Sequence, residues 1–155
     1  MNIIYLAAGK GSRFGKKTKV SNKCLIKFNG KDSIINYLIK NSNKLNFKKT
    51  FVITGFNEKK LRQKIPYKKI NYIFNKNFSD KDMMHSLILG LKKSQDNSII
   101  SYSDIIYSNK ILKKLIQKDS KKIIVPVNKN WKKIWKIRKK YHLDDAESLI
   151  YNSSK

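Results

Sequence analysis

The sequence is poor in the residues that build secreted, zinc-held or membrane-spanning proteins. A single cysteine, Cys24, excludes an internal disulfide, and two histidines, His85 and His142, supply no Cys/His zinc pattern. No apolar run reaches the roughly 18 residues that a spanning helix needs, so no membrane insertion is expected. The apolar N-terminus is not preceded by a basic stretch and passes straight into glycines and lysines. A signal peptide is therefore not expected, and a cytoplasmic location follows by default. Arginine is also scarce, with 3 Arg against 33 Lys. The formal charge of +26 points towards polyanions. However, nucleic-acid surfaces favour Arg for bidentate and stacking contacts and gather charge on one face, whereas these lysines are spread along the whole chain. A solvated lysine surface with non-specific polyanion binding at low salt is expected, and no specific nucleic-acid partner. Internal repeats and low-complexity linkers are absent.

What is present begins at the N-terminus. Ile3 to Ala8 is apolar without alternation, the mark of a strand buried on both faces, and it ends in small residues, Gly9, Gly11 and then a group of cations. Glycines at such an exit permit positive φ and let the backbone come close to a phosphate chain, with successive N–H groups forming an anion-binding concavity. Leu25 to Phe28 is a second apolar piece before an Asn29-Gly30 turn. Ser33 is placed to cap a helix whose apolar positions are Ile34, Ile35, Leu38 and Ile39. Strands are expected over Thr50–Thr54, Ile70–Phe74, Asn97–Tyr102 and Lys121–Val127, the last as a further buried strand. Helices are expected over Asn57–Lys64, stopped before Pro66, from Asp82 through Lys93 with Met83, Met84, Leu87, Ile88 and Leu91 as its apolar stripe, and over Ser108–Lys118. Strands alternating with helices across 155 residues predict one three-layer α/β/α Rossmann-like sandwich with a mostly parallel sheet. The stretch from Asn128, with both tryptophans and an acidic cluster, differs in character from what precedes it. Ligands of such sheets sit at the carboxyl ends of the strands, where Gly9–Arg13, Asn75 and Asp104 are the polar exits.

Two common phosphate motifs do not fit the N-terminal loop. Phe14 takes the place of the third glycine of the dinucleotide fingerprint, and the spacing of Gly11, Gly15 and Lys16-Lys17-Thr18 breaks the Walker pattern. The run Leu6-Ala7-Ala8-Gly9-x-Gly11-x-Arg13, with Thr18, Lys23, Leu25 and Asn29-Gly30-Lys31 before a helix, instead resembles the opening of the nucleotidyltransferase superfamily, the nucleotide-diphospho-sugar transferase fold. Lys17 and Asn22 stand where that family usually has proline. Further segments resemble its phosphocholine cytidylyltransferase-like, CTP-dependent branch: Asn75-x-x-Phe78 with Met83 to Leu87, Ser101-Tyr102-Ser103-Asp104-Ile105-Ile106-Tyr107, Trp131-x-x-x-Trp135-x-x-Arg138 and Asp145-Ala146-Glu147. Asp82 and Asn128 depart from that branch, which has Asn and, more often, an acid at these places.

The resemblance implies transfer of a nucleoside monophosphate, CMP from CTP, to a small phosphorylated acceptor such as phosphocholine or a related phosphate or phosphonate, with release of pyrophosphate. A sugar-1-phosphate nucleotidyltransferase and a non-catalytic nucleotide-binding module are the alternatives. It implies catalytic roles for Arg13, Lys23 and Asp104, and nucleotide contacts from Leu6, Ala7, Ala8, Gly9, Gly11, Ser12, Arg13, Lys23, Asn75 and Ser86. It also implies Mg²⁺, with Asp104 as a metal ligand; read from the residues alone, Asp104 serves equally as a turn or helix cap. The resemblance further implies a nucleotide-binding core over 1–127 and the start of an acceptor-binding part over 128–155. Tyr102, Trp131, Asp145 and Glu147 are the candidate acceptor contacts. The Trp131/Trp135 pair is equally a packing pair, and Asp145 and Glu147 equally partners of Arg138. Family members continue beyond the Asp-Ala-Glu triplet, so the fold is expected to be C-terminally short. The chain is then expected to be a fragment of a longer one, or to be completed by a second copy or a separate polypeptide, or to use Asp104 with phosphates and water alone. Weak or absent activity is expected for the isolated 155 residues.

Overall fold

A computed structural model describes residues 1–11, 21–28, 30–80, 82–118 and 122–137. The chain divides into two units, 1–121 and 122–155. The first is built on a four-stranded sheet of order β3-β2-β1-β4, formed by β1 (Asn2–Leu6), β2 (Thr50–Thr54), β3 (Ile70–Phe74) and β4 (Ser98–Tyr102). All three pairings are parallel, with Leu6 opposite Ile53 on one side and Tyr102 on the other. The helices are α1 (Ile34–Ser42), α2 (Glu58–Lys64), α3 (Met83–Ser94) and α4 (Asn109–Gln117). This is the predicted α/β architecture, a mostly parallel sheet with helices on both faces.

β1 is buried on both faces because its side chains enter two different layers. Ile3 and Tyr5 join Val52, Ile35, Leu38, Ile39, Leu61 and Leu112, which places α1, α2 and α4 on one face. Ile4 joins Phe51 and Ile53 on the other, beneath α3. The α1 boundary follows from its cap, since the Ser33 hydroxyl accepts from the Asn36 N–H at 3.4 Å. α2 ends where Pro66 forbids continuation, and α3 begins at Asp82, whose carboxylate accepts from the His85 N–H at 3.3 Å.

Two expectations fail here. The apolar stripe of α3 does not face the sheet. Ser86, Gly90 and Ser94 are its buried residues, while Met83, Met84, Ile88 and Leu91 are exposed. The reason is distance: a Cβ on Gly90 would lie 2.9 Å from Ile4 Cγ2 and 3.2 Å from Ile53 Cδ1, so the helix rests on the sheet through its smallest residues. The second concerns Lys121–Val127. Its described part, 122–127, is not a strand, and Ile123 (94% exposed), Val125 and Val127 are open to solvent. β-branched residues favour a strand only where a neighbouring strand supplies the ladder, and no pairing engages this segment among the described residues. In the second unit, α5 (Trp131–Lys136) is a short helix.

The close seat of α3 sets a stability prediction. Gly90→Val should cost about 1–3 kcal/mol through overpacking against Ile4 and Ile53. Leu91→Lys, on the outer face, should stay within about 0.5 kcal/mol. Urea titrations followed by far-UV circular dichroism measure both.

Candidate active site

The strand order moves from β1 outwards through β2 to β3 and then returns to β1's other side for β4. The switch point therefore lies between the carboxyl ends of β1 and β4, where open parallel sheets bind ligands. A cavity of about 300 Å³ lies there, lined by Leu6 to Gly9, Gly11, Lys23, Cys24, Phe78, Asp82, Met83, Ser86 and Tyr102 to Asp104. A larger cavity, about 840 Å³, opens near the amino ends of β2 and β3, bordered by Lys48, Lys49, Lys68 and Lys69. No carboxylate lines it, and its lysines reflect the composition of the whole chain. The smaller cavity is the candidate site.

Its walls are fixed by hydrogen bonds between strand exits. The Ala7 N–H donates to the Ile53 carbonyl at 2.9 Å, continuing the β1–β2 ladder past Leu6. The Phe56 N–H donates to the Ala8 carbonyl at 2.9 Å, and the Ser103 hydroxyl donates to the Leu6 carbonyl at 2.6 Å. Gly11 has φ +65°, the left-handed backbone the turn requires. Among the described residues, a Cβ on Gly9 would meet nothing within 4 Å, so their packing does not demand glycine there. Gly55 is the opposite case: its Cβ would lie 2.5 Å from Phe78 Cβ and 2.8 Å from the Ala8 carbonyl oxygen. Phe78 is thereby pressed in behind the turn, with Lys10 Nζ 5.8 Å from its ring centroid.

Lys23 and Asp104 come together across this cavity. Lys23 Nζ lies 2.7 Å from Asp104 Oδ2, and both side chains are about one-third exposed (36% and 30%). The pair joins a flexible point charge to a carboxylate at the end of β4, in a part-buried place where screening is weaker than in bulk water. Among the described residues no group of three or more His, Cys, Asp or Glu could hold a metal ion. Asp104 alone still fits Mg²⁺, which takes one or two carboxylates and fills its remaining positions with phosphate oxygens and water.

The predicted residues divide accordingly. Leu6, Ala7, Ala8, Gly9, Gly11, Lys23, Ser86, Tyr102 and Asp104 all line the cavity. Ser12, Arg13, Asp145 and Glu147 lie outside the described residues. Trp131 belongs to the second unit, where its ring stands edge-on to that of Trp135 with centroids 5.9 Å apart. Asn75 does not line the cavity. It is buried (1% exposed), donates to the Ser86 hydroxyl at 2.9 Å and accepts from the Asn77 N–H at 3.0 Å. It acts as an internal brace under α3. Cys24, Phe78, Asp82, Met83 and Ser103 line the cavity although sequence reasoning did not assign them to it. Phe78, Met83 and Ser103 carried a signal, as members of the segments Asn75-x-x-Phe78, Met83 to Leu87 and Ser101 to Tyr107 that resemble the family.

The chain belongs to the family of the MobA-like NTP transferase domain, which it matches over residues 3–151. It is 33% identical over 156 residues to the CTP:phosphoglutamine cytidylyltransferase of Campylobacter jejuni, the match covering 96% of this chain and 61% of that protein. Its fold is similar to that of the CTP:phosphocholine cytidylyltransferase of Streptococcus pneumoniae, with a TM-score of 0.57, 26% identity, and coverage of 66% of this chain and 44% of that one. A UDP-glucose pyrophosphorylase complexed with UDP-glucose shares the fold at TM-score 0.55 and 19% identity, with 66% of this chain and 45% of that one covered. The chain thus spans 61% of the curated relative it matches. No helix among the described residues is long and apolar enough to cross a membrane.

Cys24 supplies a pH test of the buried wall. Burial pushes its thiol up to about 12, against about 8.5 for an exposed thiol. The folded state therefore keeps the proton that the unfolded chain loses. The stabilisation is complete below about pH 8.5 and is lost as pH rises towards 12, by up to about 1.4 kcal/mol per pH unit. Urea midpoints should fall between pH 8.5 and 10, Cys24→Ala should flatten that fall, and iodoacetamide at pH 8 should label Cys24 only after unfolding.

Proposed function

We propose that this chain carries the nucleotide site of a cytidylyltransferase, which transfers CMP from CTP to a small phosphorylated acceptor and releases pyrophosphate. The observation that carries this reading is the meeting of Lys23 and Asp104 beside the glycine turn at the switch point of the sheet. The relatives support the donor and the class of acceptor, since one acts on phosphoglutamine and another on phosphocholine. In the transfer, an acceptor phosphate oxygen attacks the α-phosphorus in line as the bond to pyrophosphate breaks. Little covalent participation is asked of the protein; positioning and charge neutralisation do the work.

The chain's own residues divide those tasks. The Gly9–Gly11 turn offers a close backbone approach to the nucleotide. Arg13 meets the departing pyrophosphate, and Ser12 joins the nucleotide contacts. Lys23 leaves Asp104 for the α-phosphate and the attacking oxygen, a move its four-carbon stem permits. Asp104 would hold Mg²⁺, which would supply neutralisation of the triphosphate charge. Tyr102, at the end of β4, is the proposed acceptor contact within the first unit; for Trp131, Asp145 and Glu147 an acceptor role rests on the family resemblance alone. The free thiol of Cys24 suits a reducing, cytoplasmic setting.

A matrix of four nucleoside triphosphates against phosphoglutamine, phosphocholine, 2-aminoethylphosphonate and hexose 1-phosphates, read by pyrophosphate release, tests the reading. CTP with an amino-acid or amino-alcohol phosphate should give the signal; UTP with a hexose 1-phosphate would instead establish the sugar-nucleotide alternative. Lys23→Met and Asp104→Asn should each lower kcat about 100- to 1,000-fold. Binding of CTP without pyrophosphate release in any combination would make the chain a nucleotide-binding module.

A further inference from the structure

Phe56, the second residue after β2, has both of its backbone polar groups engaged at the site. Its N–H donates to the Ala8 carbonyl in the glycine turn, at 2.9 Å. Its carbonyl accepts from Asn22 Nδ2, at 2.6 Å. One residue behind the cavity thus ties together the glycine turn and the segment that leads into Lys23. A Cβ added at Gly55 would lie 2.5 Å from Phe78 Cβ and 2.8 Å from the Ala8 carbonyl oxygen, so this turn has no space for a side chain there.

Asn22 is 1% exposed and caps the short 3₁₀ turn Lys23–Leu25, its carbonyl accepting from the Leu25 N–H at 3.0 Å. Its side chain is only half satisfied: Nδ2 reaches Phe56, but Oδ1 is buried without a hydrogen-bond partner. A buried carbonyl left in that state works against stability. What the arrangement gains is position. The Lys23 stem is long and flexible, so the reach of its ammonium to Asp104 or to a phosphate depends on where the backbone at its root is held. We propose that Asn22 is a positioning residue, an amide tether that fixes the root of Lys23 against the Phe56 carbonyl and so sets where the Lys23 ammonium falls in the cleft. The kinetic consequence rests on the cytidylyltransferase reading; the tether itself does not.

The backbone offers a rescue variant. Asn22 has φ −66° and ψ 140°, within the range of proline, and its own N–H makes no hydrogen bond among the described residues. Proline would hold the same φ by its ring. Asn22→Ala should lower kcat about 10- to 100-fold with little change in the KM for CTP, because misplacement of a charge costs most in the transition state. Amide exchange at Leu25 and Ile26 should quicken about ten-fold as the turn opens more often. Asn22→Pro should recover both slow exchange and most of the turnover. In a Lys23→Met background, Asn22→Ala should cost nothing further, since the tether acts through Lys23. Asn22→Ser, too short to reach Phe56, replaces the alanine variant if that one does not fold. Unchanged exchange and kcat in Asn22→Ala, or an equal loss with and without Lys23, would overturn the proposal. If the parent chain turns over no triphosphate, the functional reading fails, and the exchange data still decide the tether.

Discussion

β1 is gripped on both sides by parallel ladders, and its carbonyl end can move only if two neighbours move with it. That constraint reaches past the strand. The Leu6 carbonyl takes the Ser103 hydroxyl, the Ala7 N–H reaches Ile53, and the Ala8 carbonyl takes the Phe56 N–H. The exits of β2 and β4 are in this way fastened to the glycine turn rather than merely adjacent to it. A transferase site of the kind proposed would depend on groups being in place beforehand, and a turn anchored to a fully buried strand meets that requirement.

The two helical layers meet the sheet differently. On one face α1, α2 and α4 bury ordinary large side chains around Tyr5 and Val52. On the other, α3 lies close because Ser86, Gly90 and Ser94 present almost no bulk. The closeness brings the first turn of α3 to the cavity, where Asp82, Met83 and Ser86 line it. It also explains why Asn75 and Ser86 bond to each other: at that separation their polar groups have no solvent to turn to.

Much of this was legible in the residues. β1 and β2 are short runs without alternation because both of their faces are covered, and α1 shows its Ser33 cap and helical spacing directly. Gly9, Gly11 and Asp104 stood out as polar strand exits, whereas the roles of Lys23 and Asp104 came from the resemblance of their segments to the nucleotidyltransferase superfamily. The orientation of α3 was hidden, since periodicity shows that a stripe exists but not which face touches the sheet, and small residues carry no hydrophobic signal. Ile123 to Val127 show the same limit for strands: branched residues describe a preference, and pairing depends on a neighbour that local sequence does not name. Asn22 was read only as a departure from proline, and its tether to Phe56 spans 34 positions of chain.

The cleft differs electrostatically from the rest of the molecule. On a chain of formal charge +26, the described residues lining it contribute one lysine against two aspartates, Asp82 and Asp104. Polyanions drawn to the lysine-rich exterior meet, among the described lining residues, more carboxylate than ammonium. Under the proposed function, a triphosphate complexed with a dication would meet a lining suited to both of its parts. Binding at the cleft should therefore be far less sensitive to salt than adsorption on the outside, which lets a very basic surface coexist with a selective site.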